Sequence, residues 1–144
     1  MKGMTLIVKE ITRLMVPSII LLGVYVVLHG HLTPGGGFAG GVLIAGSFAL
    51  MVLAYGSEET KREIKMWHAT FGESMGIFLF WFLALMGVIQ GTHFFTNILA
   101  KGRTGDLFSA GIIPLCNIAI GIEVAAALFA IFFTMAVMRL GEKL

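Results

Sequence analysis

HGHLTPGGGFAGG, residues 29–41, divides a long uncharged part of the chain into two. No Lys, Arg, Asp or Glu occurs in the 44 residues between Arg13 and Glu58. As one helix this run would be roughly twice as long as the hydrocarbon core of a bilayer is thick. Pro34 lacks a backbone donor and disfavours helix in the residue before it. The stretch therefore predicts two spans joined by a tight turn, with φ > 0 at one or more of the three glycines after Pro34.

The composition argues against a water-soluble domain. Of 144 residues, 58% are hydrophobic and 12% are charged, whereas a typical soluble domain has about 25% charged residues. The only cysteine, Cys116, argues against a disulfide framework and against a thiolate metal or iron–sulfur centre within this chain. The net charge of +2 gives no electrostatic case for nucleic acid. No catalytic constellation or nucleotide motif is present, so we expect no cofactor and no independent catalysis.

Hydropathy predicts an all-α membrane protein with four transmembrane helices in a single domain, residues 1–144. The predicted spans are 14–31, 38–56, 74–95 and 112–138. The charged segment 57–65 is too polar for hydrocarbon and is predicted to be a solvated connector between two helical hairpins.

Basic residues predict the orientation. With four spans, both termini and the 57–65 connector share one side of the membrane. That side carries eight basic residues: Lys2, Lys9, Arg13, Lys61, Arg62, Lys65, Arg139 and Lys143. The other side carries only Lys101 and Arg103. Because Lys and Arg bias short loops to stay inside, we expect both termini to be cytoplasmic in a multi-pass protein of the cell membrane.

A stripe of small residues follows the turn, at every fourth position of the second predicted span. Its members are Gly37, Gly41, Ala45 and Ala49, with Gly36 and Gly40 beside them. Such stripes let helices approach closely where lipid offers no hydrophobic drive for association. The stripe fits packing within the chain at least as well as packing against a partner subunit.

The order of residues in this turn resembles the signature of the MnhB/MrpB family, subunits of multisubunit cation/proton antiporters. The matching positions are His31, Pro34, Gly35, Gly36, Gly37, Phe38, Gly40 and Gly41, and Leu32 departs from the more frequent Asn. The resemblance implies a small accessory membrane subunit, found in stand-alone sodium/proton antiporters and in archaeal respiratory complexes such as membrane-bound hydrogenases. It implies other integral-membrane subunits as partners, the lipid bilayer as surroundings, and Na⁺ and H⁺ as transported ions.

Glu123 interrupts the last span near its middle. The same helical face carries mostly small residues, among them Ala119, Ala126 and Ala127, which predicts that Glu123 faces protein or a water-filled cavity. An ionisable residue at this depth is a functional candidate by default, so we interpret Glu123 as a proton- or sodium-handling carboxylate. The alternative is a protonated side chain that hydrogen-bonds a neighbouring helix.

Further polar residues gather at the non-cytoplasmic ends of the spans. Gln90, His93 and Asn97 are spaced to share one helical face, and His29 and His31 reach the same side. Gln90, His31 and His93 are therefore candidates for the ion pathway, since imidazole titrates near neutrality. One alternative is that the histidines ligate a haem. The simplest alternative is that they form hydrogen bonds with headgroups, water and loop carbonyls.

The sequence thus favours an accessory subunit that helps to form an ion pathway in an antiporter module, either stand-alone or within a redox-driven complex. Two other interpretations stay open: a packing subunit that bridges larger membrane subunits, and a haem- or quinone-binding membrane anchor.

Overall fold

The computed structural model describes residues 4–56, 66–107 and 109–141. They form four helices: α1 (Leu6–Leu28), α2 (Gly36–Tyr55), α3 (Met66–Ile89) and α4 (Ile113–Gly141). Each helix is long and apolar enough to cross a membrane, and the described ranges contain no β-strand. The prediction of an all-α protein with four candidate spans is confirmed, whereas the predicted 57–65 connector lies outside the described residues.

Helix α1 begins at Leu6, eight residues before the predicted span, so Lys9 and Arg13 lie within the helix. Its first turns are anchored to the last turn of α2: the Met4 amide donates to the Ala54 carbonyl at 2.8 Å, and the Tyr55 hydroxyl donates to the Lys9 carbonyl at 3.3 Å. Long basic side chains close to a helix end can extend toward the polar interface, so the helix need not stop where the charges begin.

Helix α3 begins at Met66 and ends at Ile89, whereas hydropathy predicts a span of 74–95. Just beyond Ile89, Gly91 has φ 77° and donates its amide to the Val88 carbonyl, while the Thr92 amide donates to the Gly87 carbonyl. A glycine with φ > 0, followed by amides that bond back to carbonyls of the last helical turn, is a common way for a helix to end. The apolar residues beyond Ile89 therefore belong to the connection between α3 and α4.

Helix α4 lies at the centre of the bundle, with α2 and α3 packed on different sides of it. Helix α1 packs mainly on α2 and touches α4 along one edge. Glycines mediate each main contact: Gly40 lies on the Gly23 carbonyl of α1, and Gly41 lies on the Gly121 carbonyl of α4. Small side chains permit these short backbone separations, which lets dispersion and backbone contacts hold the helices together in lipid.

The bundle has a loop end, which carries residues 29–35, 90–107 and 109–112, and a terminal end, which carries residues 4 and 56. The buried cluster at the terminal end joins α2, α3 and α4 through Val52, Ala69, Phe129 and Phe133. The Phe48 ring meets the Phe129 ring edge-on with centroids 5.6 Å apart.

Candidate functional site

The turn between α1 and α2 is shaped by its glycines. Gly35 has φ 130° and Gly36 has φ 65°, which confirms the prediction of positive φ after Pro34. The His29 carbonyl accepts from the amides of Leu32 and Thr33, at 2.8 and 2.9 Å. The chain therefore reverses direction within seven residues, and the amides of Leu32 and Thr33 remain bonded within the turn.

The first turn of α2 is held by a side chain from α4. The Gly37 amide donates to Oδ1 of Asn117 at 3.4 Å, and this bond satisfies one of the four donors that a helix start leaves unpaired. Gly37 also lies directly against the Asn117 carbonyl, where a Cβ would collide. Asn117 was not among the residues predicted from the sequence, although a lone amide five residues into the predicted span 112–138 is a usable signal.

The remaining motif residues divide between packing and exposure. Pro34 and Phe38 are exposed, and Phe38 retains 63% of its accessible surface. Gly40, Gly41 and Ala45 are buried. The predicted small-residue stripe therefore packs within the chain, against α1 and α4.

His31 links the turn to the α3–α4 connection. Its Nε2 lies 3.3 Å from the Asp106 carbonyl, and its Nδ1 is buried and has no hydrogen-bond partner among the described residues. Asn117 leaves a second such atom, Nδ2, in the same part of the bundle. The loop end therefore encloses two polar atoms that the residues of known position leave without a hydrogen bond.

Gln90, His93 and Asn97 do not share a helical face, because α3 ends at Ile89. Gln90 and His93 are exposed, whereas the half-buried Asn97 accepts from the Ile112 amide at 3.1 Å. His29 stacks on Tyr25, and its Nδ1 lies 3.0 Å from the Tyr25 carbonyl. None of these contacts favours haem ligation over ordinary loop hydrogen bonding.

Glu123 lies where α3 crosses α4. A Cβ on Gly76 would come within 2.6 Å of the Glu123 Cβ and within 2.9 Å of the Ala119 carbonyl, so the two helices touch here. Glu123 is half-buried. No hydrogen bond or ion pair to its carboxylate occurs within the part of the chain that the structure describes.

A second carboxylate, Glu73, lies three residues before Gly76 on α3 and is also half-buried. It too has no hydrogen-bond or ion-pair partner among the residues with assigned positions. Glu73 was not among the residues predicted from the sequence, because the predicted third span, 74–95, begins directly after this charge. In a helix that begins at Met66, Glu73 lies two turns inside.

A groove of about 470 Å³ runs along the other side of α4. Its lining is apolar except at His68, and it does not include Glu123. Helices α1 and α3 form its walls through residues such as Val24 and Gly72. Glu73, Glu123 and Asn117 do not line this groove.

The model of the family "Domain related to MnhB subunit of Na⁺/H⁺ antiporter" matches residues 7–130. An uncharacterised protein of Methanocaldococcus jannaschii is 35% identical over 142 residues, which cover 92% of this chain and 52% of that protein. A protein of Staphylococcus aureus (strain Newman), described as antiporter subunit mnhB2, is 41% identical over 59 residues, or 41% of this chain and 42% of that protein.

A solved structure also matches over 92% of this chain and 58% of its own chain, with a TM-score of 0.77 and 35% identity. It is the structure of the membrane-bound sulfane sulfur reductase (MBS), an archaeal respiratory membrane complex. The chain spans about half the length of these longer relatives. Because the family model covers four helices and the glycine turn that joins the first two, this chain belongs to the MnhB family of antiporter-type membrane subunits.

Proposed function

We propose that this chain is an accessory integral-membrane subunit of a multisubunit sodium/proton antiporter module and that Glu123 contributes to an ion pathway in it. The observation that carries the proposal is the half-buried Glu123 carboxylate at the α3–α4 crossing, which has no partner in the described parts of the chain. A charged side chain at mid-membrane depth costs about 2.5–3.5 kcal/mol on insertion scales. Charged residues at this depth are usually found where a protein handles protons or ions.

Glu73 supports the same assignment. It lies on α3 beside the Gly72 and Gly76 contacts with α4, close to one helical turn from the level of Glu123. Two carboxylates at neighbouring depths lower the electrostatic cost of moving a cation past this part of the membrane. The unsatisfied atoms of His31 and Asn117 extend the polar character toward the loop end.

The proposed topology has both termini in the cytoplasm, because eight basic residues lie on the terminal side and two on the loop side. Partners are other integral-membrane subunits of the module. The similarity to a chain of an archaeal respiratory complex supports a module within a redox-driven complex, in which other chains hold the catalytic centres. In that setting this subunit is non-catalytic.

The test is Glu123→Gln in the assembled complex, which retains the size of the side chain and removes its charge. We expect sodium-dependent proton flux per assembled complex to fall severalfold, with the amount of complex unchanged. Glu10→Gln is the matched control, since Glu10 is an exposed residue in the first turns of α1. Unchanged flux of the Glu123 variant across the whole pH range contradicts the ion-pathway role.

The second candidate function is structural bridging between larger subunits, favoured by the exposed apolar faces of α3 and α4, such as Trp81 (53% exposed) and Ile131 (58% exposed). Here Glu123→Gln leaves flux per assembled complex normal, while a bulky change on an outward face blocks assembly. Gly41 is unsuited to this test because it packs inside the chain against Gly121. Gly46, which faces outward, serves in its place.

A further inference from the structure

Helix α4 has two sides that neither α2 nor α3 covers. Helix α2 contacts α4 at Gly121 and Val124, and α3 contacts it at Ala119, Glu123 and Ala126. At 100° per residue these two contact lines lie on opposite sides of α4. The side that includes Gly121 and Ile122 is bordered by α1, since Gly121 meets Val27.

The other side of α4 is open, and Glu123 lies at its border with α3, where Gly76 approaches the Glu123 Cβ. Ile120 and Ala127 fall between the two contact lines on this side, next to Glu123, and all three are half-buried. On α2, Val42 and Gly46 are exposed and lie beside the Gly41 contact with α4, on the side away from the Gly40 contact with α1. On α3, Glu73 and Ile77 lie beside the Gly72 and Gly76 contacts with α4, so helical geometry puts them along the same open side. We define the Glu123 trough as the surface formed by Val42, Gly46, Glu73, Ile77, Ile120, Glu123 and Ala127.

Gly46 indicates that something approaches the trough closely. A Cβ on Gly46 would meet no atom within 4 Å, whereas a Cβ on Gly37, Gly40 or Gly41 would meet backbone atoms of a neighbouring helix at 2.9 Å or less. A glycine inside a helix costs about 0.5–1 kcal/mol relative to alanine. No contact among the described residues explains why α2 has a glycine here, and close approach by an external helix does.

The two carboxylates indicate the chemistry of that helix. Glu73 and Glu123 are half-buried and unpaired within the described chain. Ionisable groups inside membranes usually pair with one another. A second copy of this chain cannot supply the cation, because no Lys or Arg occurs between Arg13 and Lys61, between Lys65 and Lys101, or between Arg103 and Arg139.

We propose that the Glu123 trough is the docking site for a transmembrane helix of another subunit, and that this helix presents a Lys or Arg side chain to Glu123. The inference rests on the proposed function in one respect, that the chain works inside a multisubunit module. The pairing gives Glu123 its missing partner, and Gly46 with Ala127 provides the room for the backbone of the docked helix.

The experiment places the photo-crosslinker p-benzoylphenylalanine at Gly46 or at Ala127 of the chain in the intact complex. We expect both positions to form adducts with one helix of one subunit, and the mapped peptide to contain a Lys or Arg within one turn of the adduct. The matched control position is Leu21, an exposed residue of α1 (73% exposed) away from the trough, which should not label that helix. Adducts with lipid alone, or with different subunits from the two positions, overturn the proposal.

A charge exchange completes the test. Glu123→Lys should lower the co-purified partner about tenfold or more, as expected when one member of a buried pair is reversed. In the Glu123→Lys background, replacing the mapped basic residue of the partner by Glu should restore the amount of partner that co-purifies. Failure of this rescue overturns the pairing, even where the single variants fold poorly. If flux is normal in Glu123→Gln while the cross-linking and the rescue succeed, the ion-pathway role is refuted and the docking site stands. Failure of the proposed function can therefore be distinguished from failure of the docking proposal.

Discussion

The contact between α1 and α2 yields a quantitative prediction, because Gly40 has no side chain at the point where the two backbones approach each other. A Cβ on Gly40 would lie 2.6 Å from the Gly23 carbonyl oxygen and 3.0 Å from the Val27 amide nitrogen. The first distance is 0.8 Å short of the 3.4 Å at which ordinary contacts begin. Both atoms belong to the backbone of α1, so a rotamer change cannot relieve the clash, and the two helices must separate.

Gly40→Ala is therefore expected to destabilise the chain. Overpacking typically costs about 1–3 kcal/mol, and alanine returns about 0.5–1 kcal/mol by stiffening the unfolded chain. Gly46→Ala is the matched control on the same helix, because it gains the same propensity and meets no atom within 4 Å. The difference between the two variants isolates the packing cost, about 1–3 kcal/mol.

The assay follows labelling of Cys116, the only cysteine and a half-buried one, by a thiol reagent as the purified chain unfolds in detergent with increasing SDS. The Gly40→Ala chain should become reactive at a lower SDS fraction than the wild type, and the Gly46→Ala chain at an equal or higher one. Equal unfolding midpoints for the two variants would refute the close α1–α2 approach.

Two further predictions concern the loop end. Asn117→Leu removes the acceptor of the Gly37 amide and should lower the free energy of unfolding by about 0.5–2 kcal/mol, as loss of a helix cap does. Asn117→Asp keeps an acceptor and should unfold near the wild-type midpoint. Equal losses of stability in both variants would show that the bond is unimportant. Gly36→Ala places a side chain at φ 65°, a strain of about 1–2 kcal/mol, and should reduce flux more than it reduces the amount of complex. Gly91→Ala, strained at φ 77° in open space, is the control that should leave flux per complex unchanged.

The sequence was sufficient for the features that depend on local chemistry. Four spans followed from hydropathy, since a bilayer selects helices of a given length and composition whatever surrounds them. The reversal after Pro34 followed from the conformational limits of proline and the freedom of the glycines after it, and φ > 0 at Gly35 and Gly36 agrees. The position of Glu123 inside a span followed from its neighbours in sequence alone.

Only the tertiary structure decided how the helices pair. The small-residue stripe of α2 fits a partner subunit as well as this chain, and the contacts of Gly37 and Gly41 with α4 assign it to the interior. Asn117 accepts a hydrogen bond from the amide of Gly37, which lies 80 residues away in sequence. Glu73 lies inside a helix because α3 begins at Met66. The physical reason is that membrane helices associate through close contacts between small residues far apart in sequence. Many pairings satisfy the same local pattern, and the packing of the whole bundle selects one.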